Sequence, residues 1–118
     1  MPTVKEYKHA FTLIRDNMPA NHSKMLIAHY HSPDRAITER ELAEAAKYSS
    51  YRAANLQYGI LGHRLCEVLD YQPEERYDGR PIWTLVLAKG RSREAEGLEF
   101  QWVMRKEVAQ ALAELEWV

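Results

Sequence analysis

The 118 residues predict a single α+β domain, and three observations carry that expectation. Two Thr-x-x-Glu capping boxes, at Thr3 and Thr38, each open an apolar stripe at helical spacing. At residue 82 the period changes to a β-branched and aromatic run, followed by an alternating one. The chain is 46% hydrophobic and 28% charged, so it carries both a core and a solvated surface. A domain of this length buries roughly two-thirds of its unfolded surface and needs no staples.

In chain order, Thr3 and Glu6 cap a helix over residues 4–17, with Val4, Tyr7, Phe11, Ile14 and Met18 on its apolar stripe and Pro19 as its stop. Asn21 is the expected cap of a second, short helix that turns Met25, Leu26 and Tyr30 inward and ends at His31-Ser32-Pro33. A very short strand is expected at Arg35-Ala36-Ile37. Thr38 and Glu41 then open a third helix with Leu42, Ala45 and Ala46 as its apolar positions. After Tyr48-Ser49-Ser50 a long helix spans residues 51–69, with Ala54, Tyr58, Leu61, Leu65 and Val68 on one stripe. Residues 70–81 are turn-rich, tightest at Asp78-Gly79. Residues 82–87, Ile-Trp-Thr-Leu-Val-Leu, predict a strand. Residues 89–97 predict a polar hairpin tip, and residues 98–104 a return strand with Phe100, Trp102 and Met104 on one face. The two strands should pair antiparallel with Trp83 and Trp102 substantially buried. A last helix over residues 105–115 buries Val108, Ala111, Leu112 and Leu115.

Helix, short strand, capped helix, turn, long helix and hairpin, in this order, resemble a winged helix-turn-helix. The likeness covers about residues 21–104, with one helix added at each end. It is most specific at Ile37-Thr38-Glu39-Arg40-Glu41-Leu42-Ala43-Glu44-Ala45-Ala46, at Tyr48-Ser49-Ser50 and at the helix opening on Tyr51. The resemblance implies binding of double-stranded DNA, with residues 51–69 as the recognition helix in the major groove and residues 89–97 as a wing on the backbone. The run from Tyr51 to Gly62, YRAANLQYGILG, also resembles small modules attached to HNH-type, modification-dependent restriction endonucleases. That likeness implies DNA reading, with modified bases as one class of target. No HNH nuclease motif accompanies it.

On a helical wheel Arg52, Asn55, Leu56, Gly59 and His63 face away from the core stripe, with Gln57 at its flank. Arg52, Asn55 and Gln57 are the expected base contacts, because their paired donors and acceptors match guanine or adenine edges. Ser49, Ser50, Tyr51 and His63 would position the helix on phosphates, and Lys89, Arg91 and Arg93 would hold the wing to the backbone. Each mid-helix glycine costs about 1 kcal/mol against alanine. Gly59 and Gly62 therefore imply a close approach, by a neighbouring element, which is the commoner reason, or by DNA. Leu56 and Ile60 fit packing on the first helix or contact with thymine methyls, packing being the simpler expectation.

His22, His29 and His31 with Asp34 have poor metal-ligand spacing and no cysteine to complete a set, so no metal is expected and solvent-facing histidines are the default reading. Trp83, Trp102 and Trp117 with Tyr71 and Tyr77 suit a core, or an aromatic pocket for an extruded base. Cys66 is the only cysteine, which excludes an intramolecular disulfide and points to a reducing compartment. It reads as a small apolar filler. Phosphate-loop, paired-histidine zinc and nucleophile-elbow motifs are absent, and the expectation is a non-catalytic protein without cofactor.

Charge is unevenly spread along the chain. Residues 35–93 hold ten basic and eight acidic side chains, and residues 94–118 hold two and six. A mildly basic middle suits a local DNA patch, whereas the acidic end and the net charge of −1 favour the other expectation, a protein-interaction module such as a phage or defence-system inhibitor or adaptor. Lys5, Glu6 and Lys8 interrupt any secretion signal, so a soluble cytoplasmic domain is expected.

Overall fold

A computed structural model describes all of residues 1–118. Five helices pack around a three-stranded antiparallel sheet: α1 (Val4–Ile14), α2 (Ala20–His31), β1 (Ala36–Ile37), α3 (Glu39–Ala46), α4 (Tyr51–Leu69), β2 (Ala88–Arg91), β3 (Gln101–Met104) and α5 (Lys106–Glu114). The sheet order is β1-β3-β2, with Ile37 opposite Trp102 and Gly90 opposite the same tryptophan from the other side. The fold is α+β, and no helix is long and apolar enough to cross a membrane.

Both capping boxes form. Thr3 and Thr38 accept from the backbone N–H of Glu6 and Glu41, whose carboxylates accept in return from the threonine N–H groups. Each such cap contributes about 1 kcal/mol. α1 continues into a 3-10 turn at Arg15–Asn17 before Pro19 stops it. α2 departs from expectation at its start. Asn21 lies inside the helix, and Pro19 occupies the cap with no side-chain hydrogen bond, because its ring fixes φ near −59° and its carbonyl receives the His22 N–H. α3 ends on Lys47 in the left-handed region (φ 60°), and the Tyr48 N–H closes on the Ala43 carbonyl at 2.9 Å. This tight reversal sets α4 against α3.

The core is continuous. Tyr7, Phe11 and Ile14 of α1 meet Leu61 and Leu65 of α4 and Val108 and Leu112 of α5 in one buried cluster, together with Met25, Leu26 and Leu42. Burial of each large apolar side chain contributes roughly 1.5–3 kcal/mol. Ala45, Val68 and Leu115 are only partly buried, and Ala43 and Ala109 take buried places the periodicity did not assign.

The predicted strand over residues 82–87 is not a strand. Trp83–Val86 form a 3-10 turn, and β2 begins only at Ala88. Val86, Leu87 and Ala88 are all buried in succession, which alternation of faces in a half-buried strand does not allow. Three anchors hold the turn: the Tyr7 hydroxyl donates to the Val86 carbonyl at 2.6 Å, Arg105 Nε donates to the Leu85 carbonyl at 2.7 Å, and the Arg105 N–H donates to the Leu87 carbonyl. The hairpin is accordingly shorter than expected, Ala88–Arg91 against Gln101–Met104, so Lys89 and Arg91 lie on a strand. The tip runs over residues 92–100 with a 3-10 turn at Glu94–Glu96. Trp102 is buried, Trp83 is half-buried, and Phe100 is exposed.

Two histidines expected at the surface are interior. His29 is fully buried, with Nε2 2.9 Å from the Trp102 carbonyl and Nδ1 2.7 Å from the Tyr58 hydroxyl. A carbonyl only accepts, so Nε2 carries the proton and Nδ1 accepts from Tyr58. His29 thereby ties α2 to α4 and to β3 as a neutral imidazole. Burial pushes its pKa down to about 4, against the smaller opposing effect of its backbone hydrogen bonds. His22 is buried and donates from Nε2 to Gln57 Oε1 at 2.9 Å.

Candidate functional site

The outward stripe of α4 carries Arg52, Leu56, Ile60 and His63, opposite the buried stripe of Ala54, Tyr58, Leu61 and Leu65. Leu56 is 64% exposed and Ile60 39%, so neither packs on α1 as expected. This stripe forms one wall of a groove of about 570 Å³ that opens between α4 and residues 74–84. The segment reaches α4 because the Asp78-Gly79 reversal doubles it back. Gly79 adopts φ 86°, its N–H donates to the Arg76 carbonyl, and Glu75 bridges to Pro81.

Gly62 explains how closely the segment docks. A Cβ built there would stand 2.4 Å from the Trp83 carbonyl oxygen, so only glycine admits this backbone. Next to it His63 stacks on Trp83, with ring centroids 3.9 Å apart and planes 12° from parallel. Gly59 differs. A Cβ there would meet only Thr84 Oγ1, at an ordinary 3.7 Å, so no neighbour requires this glycine.

The expected site residues divide by place. Arg52 and Asn55 line the groove, and Arg52 takes part in no ion pair. Gln57 is turned inward, with its amide oxygen held by His22, and its flank position on the wheel is the reason. Ser50 caps α4, its Oγ accepting from the Ala53 N–H at 3.2 Å, and Ser49 and Tyr51 are exposed beside it. His63 lies three turns into α4, with its ring committed to Trp83 and Nε2 3.7 Å from Glu67.

On the hairpin Lys89 is exposed and without an acidic partner. Arg91 Nε donates to Gln101 Oε1 at 3.1 Å, and Arg93 pairs with Glu96 while reaching the same Gln101 oxygen at 3.1 Å. The Arg93–Glu96 bond lowers the glutamate pKa below its ordinary value. Arg40 of α3 pairs with Glu99 and fastens the tip to the helix that precedes α4.

Sequence reasoning missed Arg76, Arg80 and Glu39, all of which line the groove. Arg80 is held by Asp78 at 2.7 Å, and Arg76 has no ion pair. Burial, then repulsion from Glu99, raises the Glu39 pKa. Their signal was the two arginines flanking the Asp78-Gly79 turn; what the turn packs against has no local signature. Trp102 also lines the groove at 8% exposure, and its indole N–H has no hydrogen-bond partner. Tyr77, grouped with the tryptophans as an aromatic candidate, is wholly exposed. No three His, Cys, Asp or Glu side chains gather as a metal set. Neither a family model, nor a curated protein, nor a solved structure matches the chain.

Proposed function

We propose that the chain is a winged helix-turn-helix domain that binds double-stranded DNA through the first two turns of α4, with β2 and the hairpin tip beside it as the wing. The observation that carries this reading is the open outward face of α4, where Arg52 and Asn55 stand at the helix start with side chains unspent on the fold. The order α2, β1, α3, α4 and hairpin supports it, as does the fastening of the tip to α3 through Arg40 and Glu99. Arg52 and Asn55 are the base-reading pair in this proposal, able to address guanine and adenine edges. Gln57 drops out, because its oxygen serves His22. Lys89 is the principal phosphate contact of the wing.

The test is a titration of random, methylated and hydroxymethylated duplexes at two salt concentrations. Asn55→Ala should cost roughly 1–3 kcal/mol on the preferred duplex and much less on random DNA. Equal losses on both would remove Asn55 from base reading.

A second reading, a protein-interaction module, draws on exposed apolar side chains around the same face: Tyr51, Leu56, Leu98 and Phe100. Absence of binding to every duplex at low salt would favour it over DNA.

A further inference from the structure

The groove between α4 and residues 74–84 shares Arg52 and Asn55 with the proposed duplex contact, but its far wall, Arg76 and residues 80–84, is not used by duplex binding on the outward stripe of α4. Its volume, about 570 Å³, lies in the range of small-molecule sites. Its apolar lining comes from Leu56, Ile60, Ile82, Trp83 and Trp102, and the Trp83 ring stacks on that of His63. Asn55 and Thr84 add side chains that both donate and accept. Arg52 and Arg76, neither in an ion pair, outweigh Glu39, the single lining carboxylate, while Arg80 is already met by Asp78, so the groove favours an anion. Gly59 supplies the depth: it weakens the helix, yet a methyl there would meet nothing closer than 3.7 Å.

We infer that this groove holds one nucleotide unit, a flat base with hydrogen-bonding edges that carries a phosphate, its base against Trp83 and Ile60 and its phosphate toward the arginines. The unit comes either as a free mononucleotide or as a single nucleotide turned out of a strand, and the chemistry met by the groove is the same. Arg52 and Asn55 are shared with the proposed duplex contact, so nucleotide binding here deepens that reading, and the probes below separate the failure of one from the failure of the other.

The experiment follows the indole N–H signals of Trp83, Trp102 and Trp117 by NMR in the full chain. The probes are AMP, GMP, CMP and UMP, inorganic phosphate, benzoate, a fully paired duplex and a duplex with one unpaired base. Trp117 packs on Phe11 and Arg15, away from the groove, and serves as the internal control. Saturable movement of Trp83 and Trp102 but not Trp117 by a mononucleotide supports the free source. Movement only by the duplex with an unpaired base supports the extruded one. Arg76→Ala with Arg80→Ala, in an exposed loop, should weaken either by about tenfold or more without moving the Trp117 signal. Gly59→Leu should do the same by filling the groove.

Equal response to phosphate alone or to benzoate overturns the inference, and so does no saturable movement at millimolar probe. A paired duplex that binds without moving Trp102, where no nucleotide moves it either, overturns this inference and leaves DNA binding by α4 standing. Mononucleotide binding with no duplex bound does the reverse.

Discussion

Gly59 and Gly62 sit three residues apart on one helix and have opposite physical roles. At Gly62 the added methyl of Gly62→Ala would meet the Trp83 carbonyl, which is backbone and cannot swing aside. That variant should lose roughly 1–3 kcal/mol by overpacking. Gly59→Ala meets only ordinary contact and should gain up to about 1 kcal/mol from helix propensity. Denaturant unfolding of the two variants checks this, and changes of the same sign would contradict the assigned geometry. Cys66, on the same helix, is buried, and burial pushes its thiol up to about 12. Its modification by a thiol-disulfide reagent at neutral pH should therefore track unfolding of the chain, and fast reaction of the native protein would show that α4 opens locally.

Among the elements, the hairpin shows how charge in sequence differs from charge available to a partner. Lys89, Arg91 and Arg93 are three cations in five residues, but Arg93 is paired with Glu96 and Arg91 is tied to Gln101. Removing Arg93 also frees Glu96, which repels phosphate. Lys89→Ala should flatten the log–log salt dependence of DNA binding by about 0.9. Arg93→Ala should lower affinity while changing that slope by less than Lys89→Ala does. Binding isotherms across a salt series measure both, and a larger slope change for Arg93 would place the tip, not the strand, on the backbone.

At the scale of the molecule, His29 couples three elements to pH. The unfolded chain takes up its proton near the ordinary value of 6.5, whereas the folded chain resists until about 4. Protonation therefore favours unfolding. Stability should be full above about pH 6.5 and should fall as pH drops toward 4, by up to about 3 kcal/mol. In His29→Gln this part of the slope should vanish, though the variant is less stable throughout. Urea unfolding from pH 4.5 to 7.5 reads the difference, and an unchanged slope would mean that His29 is charged inside the fold. At the acid end of this window and below it, the carboxylates of Glu6, Asp78, Glu96 and Glu114, whose pKa values are lowered by hydrogen bonds, add a further decline.

Local signals sufficed wherever the physics is local. The capping boxes at Thr3 and Thr38 and the α4 stripe through Ala54, Tyr58, Leu61 and Leu65 are set by side chains within four residues of one another, and they are legible in the sequence. So are the outward places of Arg52 and Asn55. Residues 82–87 misled because β-branched composition fits a strand, while the 3-10 turn is imposed from afar by Tyr7, Gly62 and Arg105. The same holds for His22 and His29, whose burial depends on partners 35, 29 and 73 residues away, at Gln57, Tyr58 and Trp102. The groove belongs wholly to this second class. Arg76 joins Asn55 in the groove only after the 70–84 segment has folded back onto α4, and Trp102 only after β3 has joined the sheet, and no spacing along a chain records a contact made by docking two elements.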